Sequence, residues 1–324
     1  MKAIVCKEYG PPEKLVYEDV PPTSMGKSAV RVAVKAVGVN FPDTLIIQGK
    51  YQFRPDPPFT PGGEFAGEVI ETGSEIKHLK VGDHVAGVIT WGGYAQELVA
   101  PAAAAMPIPK DMDFTAAAAI PMIYGTSYHA LKQRADLKAG ETLLVLGAAG
   151  GVGIAAVQLG KLMGARVIAA AGSDEKLALC RANGADEVVN YSTGSLKEQV
   201  KKLTGGKGAD VIYDPVGGDY FDQCLSCINW NGRILVVGFA SGTIPSMAIN
   251  RALLKGCAIV GVFWGQFVMK EPQLNMQNFH HIFQWYSEGK LKPPVSRTYP
   301  LAAAADAMND LLSRRATGKL ILLP

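Results

Sequence analysis

The stretch L-V-L-G-A-A-G-G-V-G at residues 144–153 decides the fold. Its apolar beginning is typical of a buried strand, and residues 152–163 have the pattern of a helix. Small residues between the two let the backbone approach a pyrophosphate, while a helix N-terminus supplies free N–H groups and a partial positive charge. The spacing Ala148-x-Gly150-x-x-Gly153 has alanine where the usual motif has its first glycine. A bare glycine-rich turn can also be only a tight strand-to-helix connection, so the surrounding pattern must decide.

The chain after this turn continues to alternate short apolar runs with helical patterns. Such alternation predicts a parallel sheet covered on both faces, and six strands match the doubly wound dinucleotide-binding fold. We therefore predict an α/β protein in which residues 123–263 form a doubly wound, parallel, six-stranded Rossmann sheet that binds a dinucleotide. The predicted strands are 142–147, 166–172, 186–190, 210–214, 233–238 and 257–263, and the predicted helices are 152–163, 174–183, 195–203, 219–228 and 246–255.

Residues 1–122 have a different pattern. Alternating runs such as V-R-V-A-V-K-A-V-G-V at 30–39, with Gly and Pro around them, predict a β-rich barrel or sandwich domain. The tail, 264–324, contains two helical patterns, at 273–287 and 302–313, and ends in the strand K-L-I-L-L. We expect the tail to pack on the first domain. The predicted domains are therefore 1–122 with 264–324, which would carry the catalytic groups, and 123–263.

The composition excludes several classes of protein. Of the 324 residues 48 % are hydrophobic and 19 % are charged, which argues against a disordered chain. The 32 basic and 29 acidic residues give a net charge of +3, so nothing favours nucleic acid or an anionic membrane as a partner. Five sparse cysteines do not suggest a disulfide framework, and the lone C-x-x-C at Cys224 and Cys227 predicts buried structural thiols. The first ten residues lack the apolar segment of a signal peptide, so we expect a cytoplasmic protein.

The end of the second predicted strand indicates which dinucleotide binds. An NAD site normally has Asp or Glu there, which accepts a hydrogen bond from the ribose 2′-OH. Here the sequence is Ala170-Ala171-Gly172-Ser173, with Lys176 shortly after it. Asp174 is the only carboxylate nearby, and we expect it to cap the next helix. A small turn beside a cation favours the 2′-phosphate of NADPH.

With these features, the sequence resembles the quinone oxidoreductases, the zeta-crystallin-like branch of the zinc-independent medium-chain dehydrogenases and reductases. Around the glycine-rich turn, the resemblance rests on Gly140-Glu141, Leu144, 148–153, Gln158 and Lys161. It extends to G-V-N-F-P-D at 38–43, P-G-G-E-F-A-G at 61–67, V-G-D-H-V at 81–85, D-P-V-G-G at 214–218 and S-R-R-A-T-G-K at 313–319. The resemblance implies a GroES-like fold for the first domain and a reductase that uses NADPH.

The resemblance also implies which residues bind the cofactor. The glycine-rich turn supplies Ala149, Gly150, Gly151 and Val152, and the adenosine 2′-phosphate would be surrounded by Ser173, Lys176, Tyr191 and Arg315. The nicotinamide side would be lined by Gly238, Phe239, Ser241 and Phe263, and the border between nicotinamide and substrate by Asn40 and Thr126. The planar donors of Arg315 suit a phosphate, and the amide of Asn40 could fix one face of the ring. The ordinary structural alternatives are surface packing for Tyr191, an ion pair for Arg315 and a core position for Phe239.

No metal is predicted. In the resemblance, Asn40 occupies the first ligand position of the zinc-dependent relatives, and the region that usually carries His-Glu is Gly63-Glu64. The segment 86–106 has no cysteine for a structural zinc. A quinone suits a site without a Lewis acid, because it accepts hydride readily and the hydroquinone anion can take its proton from water.

The leading prediction is an NADPH-dependent, metal-independent reductase that transfers hydride from nicotinamide to a quinone held in a cleft between the two domains. Asn40, Tyr51 and Thr126 are the candidate catalytic residues. One alternative is an enoyl or enone reductase, in which Tyr51 donates a hydrogen bond to the developing enolate oxygen. Relatives often have a second tyrosine where this chain has Leu45, so the substrate-side donors stay open. The other alternative is an NADPH-binding protein with little catalysis.

The last strand of the predicted Rossmann sheet also predicts the oligomeric state. The run C-A-I-V-G-V-F-W at 257–264 is long and apolar and lies at the sheet edge. An exposed edge of this kind invites pairing unless it is covered. We therefore predict a homodimer through this strand.

Overall fold

The computed structural model describes residues 1–324, which divide into two compact units. Unit 1 contains Met1–Met122 and Lys292–Pro324, and unit 2 contains Ile123–Leu291. None of the helices combines the length and the apolar character that a membrane span requires.

Unit 1 is mainly β-structure. Its strands are β1 (Lys2–Val5), β2 (Val16–Asp19), β3 (Ala29–Val39), β4 (Glu64–Thr72), β5 (His84–Val88), β6 (Glu97–Pro101), β7 (Ala105–Pro107), β14 (Val295–Pro300) and β15 (Lys319–Leu323). Its α-helices are α1 (Phe41–Ile46), α2 (Phe114–Ala117) and α11 (Ala304–Leu312). The main sheet has the order β14-β15-β3-β4-β5-β7, with β6 also paired to β3, while β1 and β2 form a separate pair.

The central strand of unit 1 positions its candidate site. β3 alternates buried and less buried residues over its first half, as its sequence predicts, and is buried continuously from Ala36 to Val39. This carboxyl end lies between β4 and β15, which both pair with it antiparallel. Residues that follow β3, beginning with Asn40, therefore enter the interior of the unit.

Unit 2 is built on a six-stranded sheet in which all neighbouring strands are parallel. Its strands are β8 (Thr142–Val145), β9 (Arg166–Ala171), β10 (Glu187–Asn190), β11 (Ala209–Asp214), β12 (Ile228–Val236) and β13 (Ala258–Gly261). Its helices are α4 (Gly151–Leu162), α5 (Asp174–Ala182), α6 (Leu196–Leu203), α7 (Tyr220–Cys227), α8 (Asn250–Lys255), α9 (Trp264–Lys270), α10 (Pro272–Ser287) and all but the first two residues of α3 (Pro121–Tyr128). A π-helical turn, His129–Arg134, continues α3.

The strand order in unit 2 is β10-β9-β8-β11-β12-β13. This is the doubly wound order 3-2-1-4-5-6, so the predicted Rossmann sheet is confirmed. The order reverses between β8 and β11, and ligands of such sheets bind beyond the carboxyl ends of the strands at the reversal. β8 leads there into the glycine-rich turn, and β11 ends at Asp214.

Residues 264–291 lie in a different unit from the predicted one. The prediction grouped them with residues 1–122, whereas the structure assigns them to unit 2. Trp264 and Phe279 pack edge to face at 6.3 Å, and Gln133 Nε2 donates to Asn278 Oδ1 at 2.9 Å. The first contact holds α9 on α10 and the second attaches α10 to the helical segment that follows residue 121, so only residues 292–324 of the tail belong to unit 1.

The edge strand and the helix before it are shorter than predicted. β13 covers Ala258–Gly261 instead of 257–263, and α8 begins at Asn250 instead of residue 246. Phe263 is already the N-cap of α9, so the chain leaves the sheet after Gly261. The residues between β12 and α8 include Pro245 and form an irregular loop.

Candidate active site

The glycine-rich turn joins β8 to α4. Gly150 is the N-cap of α4 and no side chain caps this helix, so the N–H groups of its first turn have no acceptor within the helix or from a cap. A Cβ on Gly153 would lie 2.3 Å from the carbonyl oxygen of Gly147 and 2.8 Å from Ala148 Cα. Only glycine therefore lets α4 begin this close to the strand, in the geometry with which helix N-termini bind phosphate. The predicted pyrophosphate contacts all lie in this turn: Ala149, Gly150, Gly151 and Val152.

Buried hydroxyl groups hold α3 against this turn. Ser127 Oγ donates to the carbonyl oxygen of Val152 at 2.9 Å and lies 2.9 Å from the hydroxyl oxygen of Tyr213 on β11. Tyr124 on the same helix donates to Gln158 Oε1 at 2.8 Å. Thr126 is half-buried beside Ser127, so its place relative to the turn is fixed by its neighbours. The sequence analysis gave Ser127 and Tyr213 no role, and only Gln158 belonged to a recognised motif.

Three predicted residues for the 2′-phosphate come together at the ends of β9 and β10. Ser173 caps α5, and its hydroxyl oxygen accepts from the N–H of Lys176 at 3.4 Å. The N–H of Tyr191 donates to the carbonyl oxygen of Ala171 at 3.2 Å. A Cβ on Gly172 would lie 3.3 Å from the ring of Tyr191. These contacts bring together the hydroxyl of Ser173, the backbone of Lys176 and the ring of Tyr191 after the second strand, next to Asp174.

Asp174 does not cap the helix as expected. Ser173 takes the N-cap position, and Asp174 Oδ1 instead accepts from Asn190 Nδ2 at 2.7 Å. The sequence analysis also missed Tyr220, whose ring lies 4.6 Å from that of Tyr191. The two tyrosines come from β10 and α7, so no local pattern could have paired them.

Asp214 organises the loops after β11 and β12. Its Oδ1 accepts from the N–H groups of Val216 and Gly217, both at 2.9 Å, and its backbone carbonyl accepts from the N–H of Val237 at 3.0 Å. Burial raises the pKa of Asp214, and the two amide hydrogen bonds oppose this rise. The motif D-P-V-G-G therefore begins with a buried carboxylate that shapes both loops.

Three of the four residues predicted to line the nicotinamide side lie on the loop after β12, and the fourth, Phe263, does not. The N–H of Ser241 donates to the carbonyl oxygen of Val216 at 2.9 Å. A Cβ on Gly217 would lie 2.9 Å from the ring of Phe239, so the two loops pack directly on each other. Phe263, at the start of α9, is 46 % exposed. Gly238, Phe239 and Ser241 are half-buried, and Phe239 is thus not a core residue.

In unit 1, Asn40 belongs to a buried ion-pair network. Lys319 Nζ lies 2.5 Å from Asn40 Oδ1 and 2.5 Å from Glu64 Oε2. Asn40 Nδ2 donates to Glu64 Oε2 at 2.9 Å and to the carbonyl oxygen of Gly38 at 3.2 Å, and Glu64 Oε1 accepts from the N–H of Met122 at 2.6 Å. No side chain of the three is more than 5 % exposed. Both amide N–H donors of Asn40 are thus used within the protein, and its place beside the nicotinamide stays a prediction.

Asp43 is buried beside this network. Its carboxylate accepts from the N–H of Asn40 at 2.9 Å, from the hydroxyl of Tyr94 at 3.1 Å and from the N–H of Gly63 at 3.2 Å. Burial raises the pKa of Asp43 to about 6, against the opposing effects of Lys319 and the hydrogen bonds. Tyr51 is half-buried against the core of unit 1. Burial and the charge of Asp43 raise the pKa of Tyr51, so its hydroxyl stays a neutral donor at physiological pH.

Replacing Asp43 with asparagine is expected to remove a pH-dependent part of the stability. The pKa of Asp43 in the folded protein lies above its ordinary value of 3.8, so this contribution is present below about pH 4 and is lost as the pH rises through 6. At about 1.4 kcal/mol per pKa unit, the loss amounts to about 3 kcal/mol. Urea unfolding of both proteins at about pH 4 and about pH 7.5 measures this difference. Identical pH profiles for the two proteins would contradict the assignment.

Arg315 lies in unit 1 and forms an ion pair. Its Nη2 is 2.7 Å from Asp310 Oδ1, and Arg297 Nη1 is 3.2 Å from the other oxygen of the same carboxylate. The side chain of Arg315 is 72 % exposed, so this pair contributes little to stability. The ordinary structural alternative for Arg315 is thus present, and its contact with a phosphate stays a prediction.

The residues at the zinc-ligand positions of the resemblance do not fit a metal. The carboxylate of Glu64 already accepts three hydrogen bonds, the Oδ1 of Asn40 already accepts from the ammonium of Lys319, and Gly63 has no side chain. No group of three or more His, Cys, Asp or Glu side chains in residues 1–324 is arranged to hold a metal ion. Cys224 and Cys227 are buried free thiols.

Comparison with known proteins matches both units to one family. The Alcohol dehydrogenase GroES-like domain model matches residues 26–110, and the Zinc-binding dehydrogenase model matches residues 151–280. The chain is 44 % identical to the Quinone oxidoreductase-like protein 2 homolog of Nematostella vectensis, over 99 % of this chain and 88 % of that protein. It is 35 % identical to the quinone oxidoreductase of Pseudomonas aeruginosa, over 100 % of this chain and 99 % of that protein.

Among solved structures, the chain resembles Escherichia coli quinone oxidoreductase complexed with NADPH, with a TM-score of 0.94 and 31 % identity over the whole of both chains. Likeness at this level over the full length covers both the GroES-like domain and the Rossmann domain. The chain therefore belongs to the quinone oxidoreductase family of the medium-chain dehydrogenases and reductases, and it is an oxidoreductase enzyme.

Proposed function

We propose that this protein uses NADPH to reduce a quinone, without a metal ion. The observation that carries the proposal is the uncapped first turn of α4, followed one strand further along the sheet by Ser173 and Lys176, where Asp174 Oδ1 already accepts from Asn190. The first feature fits a pyrophosphate, and the second fits a 2′-phosphate. The likeness to an Escherichia coli enzyme complexed with NADPH supports the same cofactor.

The proposal assigns most of the NADPH contacts to residues of unit 2. When bound, the cofactor supplies a hydride from C4 of its nicotinamide. The first-turn N–H groups of α4 hold the pyrophosphate, and Ser173, Lys176 and Tyr191 bind the 2′-phosphate with donors and a positive charge. We propose the same 2′-phosphate role for Arg315. Thr126 and Asn40 border the nicotinamide, and its side is lined by Gly238, Phe239, Ser241 and Phe263.

A quinone is the acceptor that demands least from these residues. It accepts hydride without a strong acid, and the resulting hydroquinone anion takes a proton from water. The chain then has to hold the acceptor in place and exclude unproductive geometry. Among the candidate catalytic residues, Asn40 is fixed by its neighbours, Thr126 adjoins Ser127, which is bonded to the glycine-rich turn, and Tyr51 offers a neutral hydroxyl.

An α,β-unsaturated carbonyl is the second candidate acceptor, and Tyr51 is the observation that favours it. The raised pKa of Tyr51 keeps its hydroxyl protonated, so it can donate to an enolate oxygen as charge develops there. Loss of one such donor costs about 100-fold in rate. Tyr51→Phe should therefore slow an enone reaction about 100-fold and leave quinone reduction within about twofold.

The test is the loss of NADPH absorbance with a simple quinone, with an enone and with an enoyl thioester, each in the presence of a chelator. Rapid oxidation with the quinone, and slower oxidation with NADH, is the expected result. Oxidation only with the enone or the thioester would transfer the proposal to the second acceptor class. Tight NADPH binding without any turnover would indicate a binding protein.

We also propose that the protein is a homodimer through the edge of the unit 2 sheet. β13 pairs only with β12, and the segment leading to it exposes apolar side chains that include Ile244, Ile249, Leu253, Leu254 and Ile259. Contiguous apolar surface of this kind marks an interaction site. In size-exclusion chromatography, the double variant Ile249→Lys/Leu253→Lys should elute as a monomer. The control Val81→Lys, at an exposed apolar position of unit 1, should elute as a dimer. A wild-type protein that elutes as a monomer would refute the dimer.

A cytoplasmic location belongs to the same proposal. All five cysteines are free thiols, which is typical of a reducing compartment. Recovery of the activity in a membrane fraction after cell lysis would contradict it.

A further inference from the structure

The side-chain amide of Asn40 is held in one orientation by three groups of different chemistry. The carboxylate of Glu64 and the carbonyl of Gly38 can only accept hydrogen bonds, and both face Nδ2, at 2.9 and 3.2 Å. The ammonium group of Lys319 can only donate, and it faces Oδ1 at 2.5 Å. A half-turn of the amide would set acceptors against Oδ1 and donors against Nδ2. All three contacts would then be lost together, so one orientation is strongly favoured.

The ion pair that fixes this amide is built into three adjacent strands. Glu64 begins β4, Lys319 begins β15, and β3 lies between them with Gly38 near its end. A Cβ on Gly38 would lie 2.2 Å from Glu64 Oε2 and 2.7 Å from Lys319 Cε. Glycine at this position therefore makes room for the two charged groups.

Stability does not explain why these two charges are buried. Glu64 is 0 % and Lys319 is 2 % exposed, and taking both charges out of water costs several kcal/mol per ion, at order of magnitude. Apolar residues of similar volume often fill such a place with equal or greater stability. Lys319 and Glu64 both lie in motifs of the sequence, S-R-R-A-T-G-K and P-G-G-E-F-A-G, and the proposed function gives these two charged residues no use. A role in the site accounts for the charges where stability does not.

We propose that Glu64 and Lys319 are positioning residues. They orient the amide of Asn40 so that it can accept a hydrogen bond from a bound ligand but cannot donate one to it. Both Nδ2 protons are donated inside the protein, and one lone pair of Oδ1 already receives Lys319. The remaining lone pair of Oδ1 fits an N–H or O–H donor, such as the NH₂ of a carboxamide, and does not fit a carbonyl oxygen. This inference rests on the proposed function in that Asn40 borders the nicotinamide.

The test variant is Lys319→Met/Glu64→Gln, which removes both charges with little change in volume. Lys319→Met alone is unsuitable, because it leaves a buried carboxylate unpaired. A glutamine at position 64 can donate as well as accept, so it no longer forbids the turned amide. If the double variant does not fold, the same measurements are made on Lys319→Gln/Glu64→Gln, which also removes both charges.

The first readout needs no substrate. The Nδ2 protons of Asn40 are expected to exchange with solvent at least about tenfold faster in the double variant than in the wild type, as measured by NMR. The second readout is kinetic. We expect kcat to fall about 10- to 100-fold, as for a misplaced contact at the reacting group, while KM for NADPH stays within about threefold. Lys319→Arg keeps the charge and should restore most of the slow exchange and of kcat.

A second ion pair provides the control. In unit 2, Arg233 and Glu141 share two hydrogen bonds at 2.7 and 2.8 Å, and neither belongs to the candidate site. Arg233→Met/Glu141→Gln should keep kcat within about twofold, in contrast to the double variant at positions 319 and 64.

Two results would overturn the positioning role. Unchanged amide exchange in the double variant would refute it whether or not the enzyme reduces quinones. Faster exchange with unchanged kcat would also refute it, because the orientation of the amide would then be irrelevant to the reaction. If the wild type is inactive with every acceptor, the proposed function fails by itself, and the amide exchange alone then decides whether Glu64 and Lys319 hold the orientation of Asn40.

Discussion

Gly153→Ala is expected to abolish tight NADPH binding and to lower the stability of unit 2. The added Cβ would lie 2.3 Å from a backbone oxygen and 2.8 Å from a backbone carbon, neither of which can move as a side chain can. The start of α4 must then shift away from β8, which costs about 3 kcal/mol as overpacking. The same shift displaces the first-turn N–H groups, and a loss of about 2.7 kcal/mol in binding corresponds to a 100-fold weaker dissociation constant.

Fluorescence titration with NADPH and thermal unfolding measure the two effects of this substitution. Gly26→Ala is the matched control, because a Cβ there meets nothing within 4 Å and the backbone is not left-handed. The control should bind and unfold like the wild type. Wild-type affinity and melting temperature for Gly153→Ala would show that α4 does not depend on this close approach.

Trp264→Ala is expected to destabilise the protein by about 3–5 kcal/mol. The indole is buried, its Nε1 donates to Asn275 Oδ1 at 3.2 Å, and its ring packs on Phe279. A Cβ on Gly125 would lie 2.6 Å from the same ring, so the backbone of α3 rests directly on it. Because Gly125 precedes Thr126, we also expect a severalfold rise in KM for the acceptor.

Trp91→Ala, at a position 41 % exposed in unit 1, provides the comparison for stability. It should lose less than about 1 kcal/mol, since a partly exposed side chain leaves no closed cavity. Urea unfolding of the two variants tests the difference. Equal losses of stability would show that Trp264 does not hold α9 on α3.

The Rossmann sheet was predictable because its signal is local and repeated. Each apolar run from 142 to 214 became a parallel strand within about two residues of its predicted ends, since buried strands need continuous apolar sequence. The glycine-rich turn was predictable from its context between a strand and a helix. The turn after the second strand was also predictable from the sequence, and Ser173 there accepts a hydrogen bond from the backbone N–H of Lys176.

Features decided by distant parts of the chain were not predictable. The segment 264–291 joins the rest of unit 2 through Asn278, whose partner Gln133 is 145 residues away, and through Trp264, whose ring packs on the backbone of Gly125. The edge strand β13 ends early because Phe263 begins a helix, although its apolar sequence continues. Arg315 has an acidic partner, Asp310, that its motif does not contain.

The network around Asn40 shows why residue type alone was insufficient. The sequence identified Asn40 as a candidate, but the orientation of its amide depends on Glu64 and Lys319. Glu64 is 24 residues from Asn40, and Lys319 is 255 residues from Glu64. A buried lysine cannot be distinguished from an exposed one in sequence. The available signal was that both charged residues lie within recognised motifs.

The most direct measurement for the central claim is a calorimetric titration of the wild-type protein with NADPH and with NADH. Charge-assisted hydrogen bonds to the 2′-phosphate contribute about 1.5–3 kcal/mol, so we predict that NADPH binds at least about tenfold more tightly. Equal affinity for the two nucleotides, or no binding of either, would contradict the claim that the residues after β9 form a 2′-phosphate site.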